Sequence, residues 1–251
     1  MNTSKYQSLD DLLKSKLLDV DGILDDGFGE VFPVKGRLID AVVLFVDMRS
    51  FSLRSQALHP VETLILANNF FAWISAEGLR GRPGIVDKYI GDEVMVIFSK
   101  EFGSEDAFLD AVKAARWMAE NDFLGFGLHI GIAAGSVVVG YVGTPLKYDC
   151  SVYGGAVTTA RRCSQVKAQS CSSSIVMPTS LWNGRKLEEV FENGEPHEEL
   201  SREVLAARKE TLKGEQELDI VEVAMQTSFC SFSSSGKPEH LKIELKRRLR
   251  G

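Results

Sequence analysis

The chain has 251 residues, of which 44% are hydrophobic and 25% charged, so it is long enough to bury a substantial core and is neither a disordered nor a fibrous sequence. Its 29 basic and 35 acidic residues sum to −6, which argues against a protein that coats nucleic acid. The cysteines Cys150, Cys163, Cys171 and Cys230 form no Cys-x-x-Cys pair and have no histidine at zinc spacing; reduced thiols in a cytoplasmic protein are expected. No signal peptide is expected at the N-terminus, and no window approaches the roughly 18 unbroken apolar residues of a membrane span.

In chain order, Leu9 to Leu24 carries apolar residues at helical spacing, ended by Gly27 and Gly29, with a connector from Val31 to Gly36. Ile39 to Val46 is short, β-branched and almost wholly apolar, as a buried central strand should be, and it stops at Asp47-Met48-Arg49-Ser50. A helix is expected from Pro60 to Ala76. Two strand-like runs, 85–90 and 93–98, are separated only by Gly91-Asp92 and read as a hairpin. Ala107 to Glu120 is helical by period. Leu128 to Gly135 reads as a strand passing into a glycine turn, with a further strand from Val137 to Val142. Ala156 to Val166 reads as a helix, and 174–177 and 217–223 as strands. From about Met225 the sequence turns serine-rich and then basic. The division expected is 1–36, a helix and connector; 37–224, the main domain; and 225–251, a tail. The order of elements points to an α/β (α+β) domain on a mostly antiparallel sheet.

Asp47 at the end of an apolar strand must be solvated, paired or metal-bound, because a lone buried carboxylate is costly. Asp92 sits in the tight turn of the hairpin. Two strand-end carboxylates can share divalent cations with phosphate oxygens, and 48–52, leading from a strand towards a helix, offers backbone N–H groups to a triphosphate. No P-loop is present. His129, within an apolar strand, reads as a core histidine rather than a base.

The runs 43–52 (VLFVDMRSFS), 86–98 (VDKYIGDEVMVIF), 129–135 (HIGIAAG), 138–143 (VVGYVG), 151–162 (SVYGGAVTTARR) and 212–214 (LKG) resemble, in family order, the motifs of class III nucleotidyl cyclases. The resemblance spans Ile39 to Val223 and implies a ferredoxin-like sheet with helices on one face. It implies that Asp47, Asp92 and the Met48 carbonyl hold two Mg²⁺ or Mn²⁺ ions. It further implies that Arg162 stabilises charge on the α-phosphate, that Lys213 contacts the terminal phosphates, and that Phe51 lies among the substrate-binding residues. In the family these halves come from opposite protomers, which implies a homodimer. Thr158 stands where an asparagine commonly orients the ribose, and Gly155 replaces a frequent polar residue.

The base-selecting pair of the family falls on Lys88 and Ser151. Lys88 argues against guanine, whose N1–H and N2 amine both donate, whereas uracil offers carbonyls to which Lys88 and Ser151 can both donate. With only short flanks, the chain is most similar to the standalone pyrimidine cyclases of Pycsar antiphage systems, which implies cyclic UMP made for a separate effector, with control by a separate molecule. A conventional adenylate cyclase and a non-catalytic nucleotide-binding relative stay open as alternatives.

Overall fold

The apolar run beginning at Ile39 is the middle of a 14-residue strand, β1 (Lys35–Met48), at the centre of the sheet. The structure, a computed structural model, describes residues 35–122, 124–144, 147–166, 173–183, 204–213 and 217–225. The expected helix at Leu9–Leu24 and the serine-rich, basic tail lie outside the described residues.

After β1 come α1 (Phe51–Ala57), α2 (Pro60–Trp73), which runs on as a wider turn over Ile74–Gly78, and the hairpin of β2 (Gly84–Ile90) and β3 (Glu93–Phe98). Then follow α3 (Ala107–Glu120), β4 (Leu128–Thr144), β5 (Lys147–Tyr153), α4 (Gly155–Ser164), β6 (Ser173–Pro178), α5 (Thr179–Asn183), β7 (Val204–Leu212) and β8 (Leu218–Met225). The strands lie in the order β2-β3-β1-β4-β6-β8-β7, with β5 added on β4, and every pairing is antiparallel except that of β4 with β6.

Successive side chains of a strand point to opposite faces. Val42, Leu44, Val46 and Met48 of β1 pack with α2 and α3, while Ile39, Ala41, Val43 and Phe45 pack with Ala156 and Ala160 of α4. Both faces of β1 are apolar, so both need cover, and full burial of each Leu or Phe contributes about 1.5–3 kcal/mol. The helices therefore flank the sheet on both faces, which corrects the expectation of helices on one face only. The first turn of α2 explains its start: Pro60 opens it, the His59 side chain accepts from the Val61 amide, and Glu62 accepts from the His59 amide.

A second correction concerns β4. The glycine turn expected at Gly135 is absent, and 128–144 is one 17-residue strand. Gly131 and Gly135 pair in register with Phe45 and Ala41 of β1. Glycine serves close packing here, because a Cβ at Gly131 would drive into the Ala160 carbonyl and the Ser164 amide of α4. Strands β5 and β7 and helices α1 and α5 were not expected as elements. Among the described residues no helix is long and apolar enough to cross a membrane.

Candidate active site

The register of the sheet brings the acidic residues together. Asp47, the penultimate residue of β1, lies opposite Glu93 of β3 on one side and His129 of β4 on the other. The hairpin turn folds back onto this end: the Met48 amide donates to the Asp92 carbonyl at 3.4 Å, and the Arg49 amide donates to the Gly127 carbonyl at 2.8 Å. Gly91 takes φ 63°, which the two-residue turn demands and a side chain would resist. Asp92 is thereby held beside Asp47, close enough for the two carboxyl groups to act on each other.

Burial, then the charge of Asp92, its hydrogen bond and the charge of Glu93 push the Asp47 carboxyl up to about 8, with the Met48 amide opposing. A buried carboxyl pushed up by a neighbouring carboxylate marks a place where a cation would stabilise the charged form. Among the described residues no group of three or more His, Cys, Asp or Glu side chains could hold a metal alone. The donor set is two carboxylates with room for phosphate oxygens, which suits hard divalent ions that arrive with a nucleotide.

Glu93 is pushed up by burial and held back by Arg161 of α4, whose Nε and Nη2 donate to Glu93 Oε2 at 3.1 and 3.0 Å. His129 is buried, as a core histidine would be, yet its Nδ1 lies 3.9 Å from Asp47 Oδ2. Neither neighbour was singled out from the sequence as part of a site. The antiparallel register alone would have put Glu93 and His129 opposite Asp47.

Ser50, which precedes α1, holds φ 56°, a left-handed conformation that costs a non-glycine residue about 1–2 kcal/mol. Its side chain does not cap the helix. The turn is fastened instead by Arg54, buried with Nη2 donating to the Phe126 carbonyl at 2.6 Å, and by Asp122, which accepts from the Phe126 and Gly127 amides at 2.9 and 2.6 Å. Met48 has its side chain in the core, and Phe51 packs partly buried against the same core.

The two residues expected to select the base, Lys88 and Ser151, are joined within one chain. Lys88 Nζ donates to Ser151 Oγ across β2 and β5. A third residue completes the cluster: Ser151 Oγ donates to Asp87 Oδ2 at 3.2 Å, and Lys88 Nζ lies 3.5 Å from the same oxygen. Lys88 also lies 5.5 Å from the Tyr153 ring centroid. The register of β2 against β3 shifts between Val86 and Lys88, so Asp87 is the extra residue of a bulge. No sequence signal marks a bulge there, and Asp87 was missed.

Thr158 is exposed and Arg162 half-buried, one turn apart on α4. Lys213 is exposed just beyond β7, four strands from β1, or about 19 Å across the sheet. The single chain thus gathers Asp47 with Asp92, and Lys88 with Ser151, while Lys213 stands apart from the carboxylates.

Residues 35–180 match the family described as the adenylate and guanylate cyclase catalytic domain. The chain is 30% identical over 132 residues to an adenylate cyclase of Anabaena cylindrica, covering 48% of this chain and 26% of that protein. It is 30% identical over 133 residues to the terminal-differentiation-specific adenylate cyclase of Dictyostelium discoideum, covering 49% of this chain and 6% of that one. It thus spans about a quarter or less of these relatives. Among solved structures it is similar to the adenylyl cyclase CyaB from P. aeruginosa, with a TM-score of 0.56, 18% identity and coverage of 78% of this chain and 98% of that one. The guanylyl cyclase Cya2 gives a TM-score of 0.53, 23% identity and coverage of 75% and 93%. At these identities the structures speak for the fold.

Proposed function

The chain belongs to the adenylate and guanylate cyclase catalytic domain family, and on that premise we propose that it is a cytoplasmic cyclase of UTP, making cyclic UMP and pyrophosphate at two composite sites of a homodimer. The ribose 3′-hydroxyl gives up its proton to solvent water, its oxygen bonds to the α-phosphorus, and the bond from that phosphorus to the bridging oxygen of the β-phosphate breaks as pyrophosphate leaves. Asp47, Asp92 and the Met48 carbonyl would hold Mg²⁺ or Mn²⁺, which when bound neutralises phosphate charge and acidifies the attacking hydroxyl. Arg162 stabilises the charge that builds on the α-phosphate, Thr158 orients the ribose with one hydrogen bond, and Lys213 binds the terminal phosphates. Phe51 borders the substrate at the start of α1.

The uracil assignment rests on the pairing of Lys88 with Ser151, an ammonium and a hydroxyl that can both donate to carbonyl oxygens. Lys88, an ammonium with no lone pair to offer, cannot itself accept the N–H groups of guanine. We place the product as an antiphage second messenger read by a separate effector. ATP is the second reading, favoured by the two relatives named adenylate cyclases, with Lys88 donating to adenine N1 and a Ser151 lone pair accepting from the exocyclic amine.

Purified protein, Mn²⁺ and each of the four ribonucleoside triphosphates, with cyclic products separated by chromatography, test the assignment. Cyclic UMP should dominate. Dominant cyclic AMP would transfer the assignment to ATP, and no cyclic product from any nucleotide would sink the catalytic reading in favour of a nucleotide-binding relative.

A further inference from the structure

We infer that Asp87 is a third base-reading residue, whose carboxylate accepts the imino N3–H of uracil while Lys88 and Ser151 donate to the flanking carbonyls. The inference rests on the uracil reading above and extends it. A bulge presents two successive residues to the same side of a strand, and here it turns Asp87 and Lys88 together towards Ser151. The Asp87 side chain is only 5% exposed, and its Oδ2 is shared between the Ser151 hydroxyl at 3.2 Å and Lys88 Nζ at 3.5 Å.

Counting protons shows what the cluster can read. Ser151 has one proton, and it goes to Asp87; Lys88 has three, of which one goes to Ser151. When uracil enters, its N3–H takes the place of the Ser151 proton on Asp87, and the freed hydroxyl turns to a carbonyl. Lys88 gives a second proton to the other carbonyl. Each hydrogen bond that breaks is replaced, so the exchange leaves no buried group unsatisfied.

Cytosine fails the same count, because its N3 is a bare lone pair directed at a carboxylate. Asp87 thus separates the two pyrimidines at N3, whereas Lys88 meets the O2 carbonyl that both bases carry and the Ser151 hydroxyl can either donate to the uracil O4 or accept from the cytosine amine. A mere counter-ion for Lys88 would instead raise or lower all substrates together.

The test measures kcat/KM of the full chain with Mn²⁺ for UTP and CTP in wild type, Asp87→Asn and Ser151→Ala. The asparagine amide keeps the shape and can donate to cytosine N3, so the UTP-to-CTP ratio should fall by about 10- to 100-fold. An equal change for both nucleotides, with cyclic UMP still the main product, would overturn the role of Asp87 alone. Cyclic AMP as the main wild-type product would overturn the uracil reading itself, and that is seen before any variant is made. The melting transition of Asp87→Asn shows whether it folds. If it does not, Ser151→Ala decides: Asp87 is intact there, so the rate on UTP should drop while the UTP-to-CTP ratio stays within about threefold. Collapse of that ratio would assign the discrimination to Ser151 and overturn the inference.

Discussion

Asp47 is held where it is least comfortable. Its carboxyl is raised from 3.8 to about 8 by burial and then by Asp92, so the folded chain keeps a proton that the unfolded chain has released. A raised acid costs stability as pH climbs from the unfolded value to the folded one. In chelator, Asp47→Asn should therefore raise the melting temperature, by an amount that grows between about pH 4 and pH 8; a gain independent of pH would show that the fold does not raise the Asp47 carboxyl. The same substitution, like Asp47→Ala or Asp92→Ala, should abolish cyclic product while the fold survives, and turnover retained in a folded variant would refute the metal assignment. At this scale the sequence was informative where chemistry is local. An aspartate ending an apolar strand and another in a tight turn mark themselves, whereas Asp87, Glu93 and His129 gain their meaning from a bulge and a register that no local pattern encodes.

Between the residue and the molecule, α4 is the element whose seat matters most. It crosses β4 at Gly131 with backbone against backbone, and the helix carries Thr158 and Arg162. Gly131→Ala should push α4 off the sheet, destabilise the fold by about 1–3 kcal/mol as overpacking does, and lower kcat more than it raises KM. Thermal unfolding and steady-state kinetics would check it, and unchanged kcat would show that α4 does not position the reacting phosphate. In sequence Gly135 reads as a turn although it lies within β4, because glycine marks bends and close approaches alike and only the surrounding fold distinguishes them. The β2–β3 hairpin was legible because two apolar runs flank a turn-forming pair. Strand β7 was not, since Arg208, Lys209, Glu210 and Thr211 carry no apolar alternation and the strand lies at the edge of the sheet.

Across the whole molecule, Leu38, Val138 and Tyr153 form a row of neighbours on β1, β4 and β5, and all three are exposed. Such a row suits the partner protomer that the proposed composite sites require. Mixing inactive Asp47→Ala and Arg162→Ala chains should restore up to about a quarter of wild-type turnover, because half of the dimers are mixed and each has one intact site. Activity no higher than that of either variant would argue that each chain works alone. The contact between Arg161 and Glu93 adds a consequence of another kind. It ties the helix bearing Arg162 to the strand beginning beside Asp92, and the Arg161 side chain is 48% exposed, so dissolved salt can weaken the tie. Ionic strength should then act on the rate of turnover itself, and Arg161→Gln should remove part of that dependence, which would make cyclic nucleotide output responsive to the salt content of the cell.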